Sequence, residues 1–360
     1  MKKAKKIIII VAVCMIVVGF VSALISLVCV GFDFTKVDTQ EWKTNTYEIE
    51  EVFDNISIDG LEATVSLVPS TDGTCKVVCT ENDNVYDEIK VENSTLTIQR
   101  ISKNKWQFNF GLSLEEAKIT VYLPKTEYKK LLLDTTSGRL DVPTDFTFEE
   151  AKVTNSSGKI SFKADVTGAL SVENTSGGID VGENQVGSLK AVGSSGGIEV
   201  SSLGVKNDIE VGSTSGGIRI SDVECNNMVV KGSSGSIRLS SIVAKGNLDV
   251  DGTSGSIQLS DVECVNVMAN NSSGSIKCSN VIASGDIGLE NNSGGISLEA
   301  CDATNLKLSA TSGSIRGSLL SSKNFIAEAT SGSVDVPESA SGGLCEASTT
   351  SGSIHLRVGE

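Results

Sequence analysis

A four-residue block, Ser-Gly-(Gly/Ser)-Ile, recurs from Ser137 onward and constrains the fold of this 360-residue chain more than any other feature. The first glycine of the block returns every 19 or 20 residues and always follows a serine. A fixed period of this length is typical of a solenoid, in which each repeat is one coil stacked on the next. The glycines of the twelve blocks are Gly138, Gly158, Gly177, Gly196, Gly216, Gly235, Gly255, Gly274, Gly294, Gly313, Gly332 and Gly352.

Two apolar pairs flank each block, and positions are counted here from its first glycine. One pair lies at −7 and −5, as in Leu189 and Ala191, and the other at +2 and +4, as in Ile198 and Val200. Side chains two residues apart share one face of a strand, and the 3.6-residue period of a helix is absent from the repeats. We therefore predict an all-β fold, a single-stranded parallel β-helix of about 12 regular coils of 19–20 residues. We expect positive φ at the corner glycines and a ladder of threonine and serine hydroxyls beside them.

The N-terminus has the pattern of a membrane anchor. Four of the first six residues are lysines, and the 24 residues from Ile7 to Val30 carry no charge. As a helix this stretch would measure about 36 Å, enough to cross a bilayer, with the lysines on the cytoplasmic side. The alternative is a cleaved signal peptide, whose apolar region is normally shorter. We predict an uncleaved single-pass anchor in the cell membrane, with the N-terminus cytoplasmic and the C-terminal domain extracytoplasmic.

These patterns divide the chain into five segments. Residues 1–6 are a cytoplasmic basic tail, 7–32 a transmembrane helix, and 33–45 a tether. Residues 46–130 carry strand-like alternation without the block, and 131–360 hold the regular repeats. The ends of a solenoid have to be covered, so we interpret 46–130 as irregular β coils that cap the regular ones.

Charge and cysteine content exclude several classes of function. Beyond Phe32 the chain has 26 lysines and arginines against 45 acidic residues, a net charge of −19. Such a domain has no general positive field for nucleic acid. Its seven cysteines form no C-x-x-C motif or Cys/His cluster, and Cys225 and Cys264 lie two coils apart, too far for a disulfide. We predict free, buried thiols, no metal site and no cofactor.

An outward column at position +3 supplies the candidate binding residues. Its middle is basic, with Arg219, Arg238, Lys277 and Arg316, while most residues at its ends are acidic or neutral. Stacked like charges repel each other unless something neutralises them. The column is either a strip that binds an anionic cell-wall polymer or an acidic face of another envelope protein, or a set of solvated charges that keep the sheet soluble.

A second candidate contact lies before the regular coils. Trp106, Phe108 and Phe110 alternate along a predicted strand and therefore share one face. They could contact a membrane surface or a partner, or pack over the first coil.

Catalysis has little support in the sequence, and no catalytic residue is predicted. His355 is the one histidine, and it lies close to the last residue. Asp180 and Glu199 occupy neighbouring coils in the +3 column, as the paired acids of glycosidases do, but no groove of basic and aromatic residues accompanies them. We therefore predict a protein that is not an enzyme.

The run Ile119-Thr-Val-Tyr-Leu-Pro124, followed by Ser-Gly-x-Ile coils and preceded by one anchor, resembles the bacterial putative-adhesin domain family (YvlB- and LiaG-like) over residues 46–360. This resemblance implies a β-helix at the cell envelope, linked in some members to envelope-stress regulation, with no catalytic residues. The expected function is a membrane-anchored, adhesin-like binding or scaffold protein. The alternatives are a structural or regulatory part of an envelope-stress membrane complex, including one that self-associates through an open last coil, and a polysaccharide-active enzyme.

Overall fold

The structure is a computed structural model that describes residues 13, 15–22, 42–103, 117–338 and 341–359. Residues 15–22 are helical and exposed, and strands begin at Lys43. Within the described part of the chain, no helix has the length and apolar character needed to cross a bilayer. The predicted transmembrane helix at 7–32 falls mostly outside the described residues and stays a prediction.

Thirty strands, joined by hydrogen bonds into one continuous sheet, make up the described part from residue 43 onward. They are β1 Lys43–Ile49, β2 Asn55–Leu61, β3 Thr64–Pro69, β4 Cys75–Glu81, β5 Val85–Glu92, β6 Thr95–Ser102, β7 Lys118–Leu123, β8 Glu127–Thr135, β9 Leu140–Val142, β10 Thr147–Asn155, β11 Ile160–Phe162, β12 Asp165–Asn174, β13 Ile179–Gly193, β14 Ile198–Val205, β15 Ile209–Ser213, β16 Ile218–Cys225, β17 Met228–Gly232, β18 Ile237–Ala244, β19 Asn247–Ser254, β20 Ile257–Cys264, β21 Asn266–Ser273, β22 Ile276–Ala283, β23 Asp286–Ser293, β24 Ile296–Cys301, β25 Asn305–Ser312, β26 Ile315–Leu319, β27 Asn324–Ser331, β28 Val334–Asp335, β29 Leu344–Ser351 and β30 Ile354–Val358.

Each regular coil has three faces around an aliphatic interior. In one such coil β15 forms the first face, the Ser-Gly corner follows, and β16 supplies the second face up to a bend at Asp222 and the third face after it. The apolar pairs at −7/−5 and +2/+4 point inward, as predicted, and are buried in nearly all coils, the exception being the coil of residues 324–336. Parallel pairing with the coils on either side confirms an all-β parallel solenoid. The twelve corners enclose about 11 turns, one fewer than the predicted 12.

Close backbone stacking, rather than φ, is the common reason for glycine at the corners. Only seven of the twelve first glycines have positive φ, so the prediction of positive φ at every corner was too broad. A β-carbon on any of the twelve, however, would approach a backbone atom of the preceding or following corner closer than 3.0 Å. Real β-carbons essentially never come that close, so each corner needs a residue without one.

Buried asparagines, one position before the predicted hydroxyl ladder, hold the corners together. Threonines at −2, such as Thr175, are exposed, whereas several residues at −3 point inward. Asn174 Nδ2 donates to the carbonyl oxygen of Gly158 at 2.7 Å, and Asn271 Nδ2 to that of Gly255 at 2.9 Å. These bonds satisfy carbonyl groups of the preceding corner that the interior would otherwise leave unpaired.

The bend between the second and third faces recurs at +6, where a non-glycine residue adopts left-handed backbone geometry in seven consecutive coils. Asp, Asn and Ser occupy five of these positions, which suits their tolerance of positive φ. The residues are Glu183, Ser202, Asp222, Ser241, Asp261, Asn280 and Ala300.

At the N-terminal end, chain order and stacking order differ. The coil formed by β2 and β3 lies between the coil of β6 and β7 and the coil of β8 and β9. Antiparallel strands complete this end, with β5 on β6, β4 on β7, and β1 on β4. The strands that complete this end of the solenoid therefore run antiparallel to their neighbours, unlike the strands of the regular coils.

The other end contains the same kind of insertion. Strands β29 and β30 lie between the coil of β25 and β26 and the coil of β27 and β28. Residues 324–335 are therefore the outermost coil, although residues 344–358 follow them in the chain. The open last coil was expected at the residues around Gly352, but these are paired on both sides, and the open coil is instead 324–335, where Ile326 is 58% and Val334 43% exposed.

Candidate functional site

The second face carries the predicted cations in one column. Its register pairs Arg219 with Arg238 and continues through every following coil. Arg219, Arg238 and Lys277 each lie between two buried neighbours, and Arg316 lies between buried Ile315 and half-buried Gly317, so strand alternation directs these side chains outward. In stacking order the column is Arg219, Arg238, Gln258, Lys277, Ser297, Arg316, His355 and Asp335. We call Arg219, Arg238, Lys277 and Arg316 the basic strip.

The four charges of the basic strip have no counter-ion within the described residues. Within the described residues, Arg219, Lys277 and Arg316 form no ion pair, although Arg219 is the register neighbour of Glu199. Arg238 Nε donates to Gln258 Oε1 at 3.0 Å, a contact that orients the guanidinium without neutralising it. Like charges stacked along a sheet repel one another. The strip therefore has an unfavourable internal energy that an external anion would lower.

Two carboxylates of the column outside the strip, Asp180 and Asp335, are paired with cations, whereas Glu199 beside Arg219 has no ion pair in the described residues. Lys159 Nζ lies 2.7 Å from Asp180, one of the two carboxylates compared with glycosidases. At the outer end, Asp335 contacts both Arg357 at 2.8 Å and His355 at 2.9 Å. The Arg357 hydrogen bond is the main cause that holds the pKa of Asp335 below its usual value. Positive potential on this face is therefore concentrated between Arg219 and Arg316.

Small hydroxyl residues border the strip on both sides. The column at +1 holds serines over most of the strip, and Ser275 Oγ lies 3.3 Å from Ser256 Oγ. The column at +5 is half-buried serine except for Glu299, whose carboxylate accepts from Ser279 Oγ at 3.4 Å. The +5 serines are Ser221, Ser240, Ser260, Ser279 and Ser318. The second face is therefore flat, polar and able to hydrogen-bond a ligand between its cations.

A shallow groove of about 340 Å³ begins beside the acidic coils and ends at the strip. Its floor is formed by Gly178, Gly197 and Gly217 at +1, and its charged walls include Glu199 and Arg219. A β-carbon on any of these glycines would meet a carbonyl oxygen at 3.5 to 3.6 Å, an ordinary contact. These second glycines are therefore not required by the packing of the corners.

Trp106, Phe108 and Phe110, the predicted aromatic contact, lie outside the described residues. The structure therefore adds nothing to that prediction.

One cluster in the described residues has metal-ligand atoms close together, namely Cys79, Glu81 and Asp87 in the antiparallel region. All three are buried, but Arg100 donates to both oxygens of Asp87, at 3.0 and 2.6 Å. Glu81 accepts from the Tyr47 hydroxyl, the Asn45 amide and the backbone of Asp87. The carboxylates are thus satisfied by donors, and a bound cation would have to displace Arg100. The cluster is best described as a buried ion-pair network.

The seven cysteines from Cys75 to Cys345 are free and buried, in agreement with the sequence prediction. Removal from solvent raises the pKa of Cys225 and of Cys345 to about 12, and that of Cys75 and of Cys264 to about 11. Because the thiolate is the nucleophile, these groups are poorly reactive and serve as small core residues.

A second polar ladder, absent from the sequence prediction, runs along the corner at −8. Asn227 Nδ2 donates to Asp208 at 2.9 Å, Asn266 Nδ2 to Asn247 at 2.8 Å, and Asn305 Nδ2 to Asp286 at 2.9 Å. The recurrence of Asn or Asp at this position in six consecutive coils is the signal that could have revealed it. The ladder fixes the return corner of each coil and leaves the second face available.

A parallel β-solenoid with a flat, charged second face is the class of protein that this geometry defines. The chain belongs to the family described as Toastrack DUF4097, which matches residues 53–263, 178–314 and 247–360. This match confirms the family resemblance predicted from the sequence. No match is found among curated proteins.

Several solved structures are similar to this chain. A putative lipid binding protein from Parabacteroides distasonis is 17% identical, with a TM-score of 0.35, over 88% of this chain and 97% of its own. A putative adhesin from the same species is 14% identical, with a TM-score of 0.32, over 89% and 98%. A putative adhesin from Parabacteroides merdae is 13% identical, with a TM-score of 0.33, over 89% and 98%. At these TM-scores the likeness carries no argument about this chain.

Proposed function

We propose that the chain is a non-enzymatic, membrane-anchored β-solenoid of the bacterial cell envelope that binds an anionic cell-wall polymer along its basic strip. The observation that supports this proposal is the alignment of four exposed cations in one column, none of which forms an ion pair in the described residues. The uncharged stretch from Ile7 to Val30 supports the single-pass anchor and the extracytoplasmic location of the solenoid.

Charge complementarity explains how an acidic domain can bind a polyanion. The net charge of −19 beyond Phe32 repels anions at long range, but salt screens that repulsion beyond about 8 Å at physiological ionic strength. At contact distance, a polymer on the second face meets the strip and its serine borders first. We therefore expect binding that is weak per contact, strengthened by polymer length, and sensitive to salt.

The test reverses the strip while leaving the fold intact. Arg219, Arg238, Lys277 and Arg316 are changed together to glutamate, and sedimentation with isolated cell walls is measured. Exposed pairs contribute roughly 0.2–1 kcal/mol each, so loss of four pairs should weaken binding by at least about fourfold. A control changes Lys231, an exposed lysine on the first face, to glutamate and should bind like the wild type. Equal binding by the fourfold variant and the wild type would reject the proposal.

A second candidate function is a structural or regulatory part of a membrane complex, and the open coil 324–335 favours it. This coil presents unpaired strand edges and exposed Ile326 and Val334, which a partner or a second copy could cover. Changing Ile326 to lysine should abolish any concentration-dependent assembly seen by analytical ultracentrifugation. Assembly that persists unchanged in this variant would argue against a role for this coil.

A further inference from the structure

Charged and neutral residues alternate along the basic strip from Arg238 onward, although Arg219 lies directly next to Arg238. From Arg238 to Arg316 the column reads Arg, Gln, Lys, Ser, Arg in five successive coils, with each residue in register with the next. Neighbouring strands lie about 4.8 Å apart, so cations recur about every 10 Å along the axis. A ligand that pairs with all of them needs an anion at every second coil.

The neutral positions between the cations can hydrogen-bond a ligand. Gln258 uses its Oε1 to accept from Arg238, which leaves its amide group to donate outward. Ser297 is exposed and offers a hydroxyl. Ser256 at +1 and Ser260 at +5 border Gln258, whereas Gly295 and Glu299 border Ser297. The surface opposite each gap therefore suits a neutral group rich in hydroxyls.

Glu299 disfavours an anion at one of these neutral positions. It lies two residues after Ser297 on β24, so both side chains project from the same face. Glu299 forms no ion pair within the described residues, and its carboxylate accepts a hydrogen bond from the hydroxyl of Ser279. An anion placed opposite Ser297 would therefore meet a like charge, whereas one placed opposite Lys277 or Arg316 would not.

We propose that the ligand is a linear acidic polysaccharide that lies along the solenoid axis and carries one anion on every second sugar. This inference rests on the proposed function of the strip and adds the spacing of charge in the ligand. Each pyranose ring lengthens an extended glycan by about the distance between adjacent coils. Alternate rings would therefore face Arg238, Lys277 and Arg316. Neutral rings between them would face Gln258 and Ser297. Polyphosphate, whose anions are closer together than the coils, would place unpaired charge at both neutral positions.

The experiment compares polymers of different charge spacing with the full chain in detergent micelles. The probes are hyaluronan, with a carboxylate on alternate sugars, polygalacturonate, with a carboxylate on every sugar, polyphosphate and neutral dextran. Affinities are measured by calorimetry at fixed ionic strength and compared per anion. We expect hyaluronan to bind at least about tenfold more tightly per carboxylate than polygalacturonate, because half of the latter's charges lack a partner. Dextran should not bind.

Variants of the strip test whether the preference for hyaluronan depends on the alternation of charged and neutral residues. Gln258→Lys with Ser297→Lys fills both gaps with charge and should shift the preference toward polygalacturonate. Lys277→Gln should weaken hyaluronan binding several-fold, Lys277→Arg should retain it, and Lys231→Gln on the first face should leave it unchanged. Each change is on an exposed or half-buried side chain of the sheet surface, and circular dichroism verifies that the fold is kept.

The two levels of the proposal fail in different ways. If no polyanion binds the wild-type chain, the proposed function fails, and this inference fails with it. If polygalacturonate or polyphosphate binds as tightly per anion as hyaluronan, the strip binds polyanions, but the alternation of charged and neutral residues does not discriminate between polymers of different charge spacing. If the filled variant keeps the wild-type preference, the assignment of Gln258 and Ser297 to neutral sugars is wrong.

Discussion

Adjacent glycines in one corner should differ sharply in their tolerance of alanine. A β-carbon on Gly216 would lie well inside 3.0 Å of the carbonyl group of Gly196, which the backbone of the preceding coil holds in place. A β-carbon on Gly217 would meet the carbonyl oxygen of Ser236 at 3.5 Å, an ordinary contact. Neither residue has φ in the left-handed range. The comparison therefore isolates the close approach of coils from backbone strain.

The expected magnitudes follow from this geometry. Gly216→Ala forces two coils apart, which costs roughly 1–3 kcal/mol for overpacking and roughly 1 kcal/mol for each hydrogen bond between coils that is lengthened. We expect a loss of about 3 kcal/mol or more in the free energy of unfolding. Gly217→Ala restricts the unfolded chain at a site without strain and should change stability by no more than about 1 kcal/mol, in the stabilising direction.

Urea unfolding, followed by circular dichroism, measures the stability of the two variants and of the wild type. Repeat proteins can unfold in stages, so the midpoint and the slope are both compared with those of the wild type. Equal destabilisation by the two substitutions would refute the explanation based on close approach. A neutral Gly216→Ala would refute it as well, because the corner would then tolerate a β-carbon.

Three further predictions concern buried polar groups and thiols. The nearly buried ammonium of Lys323 lies 2.8 Å from the carboxylate of Asp302. Asp302→Asn removes this charged partner and should lower the free energy of unfolding in urea by about 3 kcal/mol. Adding Lys323→Met should restore stability. Burial alone would raise the pKa of Asp302, but the Lys323 hydrogen bond reverses this and lowers it, so this contribution should disappear as pH falls below about 4. Asn271→Ala leaves the Gly255 carbonyl without its 2.9 Å donor and should cost roughly 1–3 kcal/mol by the same assay, whereas no change would show that water replaces the amide. The seven buried thiols should resist a thiol reagent at pH 8 until urea unfolds the chain. Burial raises the pKa of Cys225 from 9.0 to about 12, so the free energy of unfolding should fall as pH rises from about 9 to about 12.

Periodicity predicted the regular coils well because it reports a local property. Ile218 and Ile220 alternate with Arg219, and that alternation alone determines which side chains face the interior and which face solvent. The constant repeat length then aligns equivalent residues of successive coils. The column of cations could be predicted for the same reason.

The ends of the solenoid could not be predicted in the same way. The backbone pairing of parallel coils is the same wherever +2 is Ile or Val, so the repeat alone does not show that Ile315 pairs with Ile354 rather than with Val334 of the coil that follows it in sequence. The choice depends on the path of the connecting segments, about which the repeat carries no information. The bend at +6 was also missed, because residues as different as Glu183 and Ala300 adopt it.

Because residues 344–358 separate residues 324–335 from the rest of the stack, folding cannot proceed coil by coil in the order of synthesis. The ribosome delivers strand β27 before β29, the strand that supplies its parallel neighbour in the finished stack. During that interval β27 and β28 are exposed edges, which is when mispairing with another chain is most favourable. A stop codon introduced shortly before residue 344 would thus do more than shorten the rod by one layer, since it would also leave residues 324–335 without the strands they rest on.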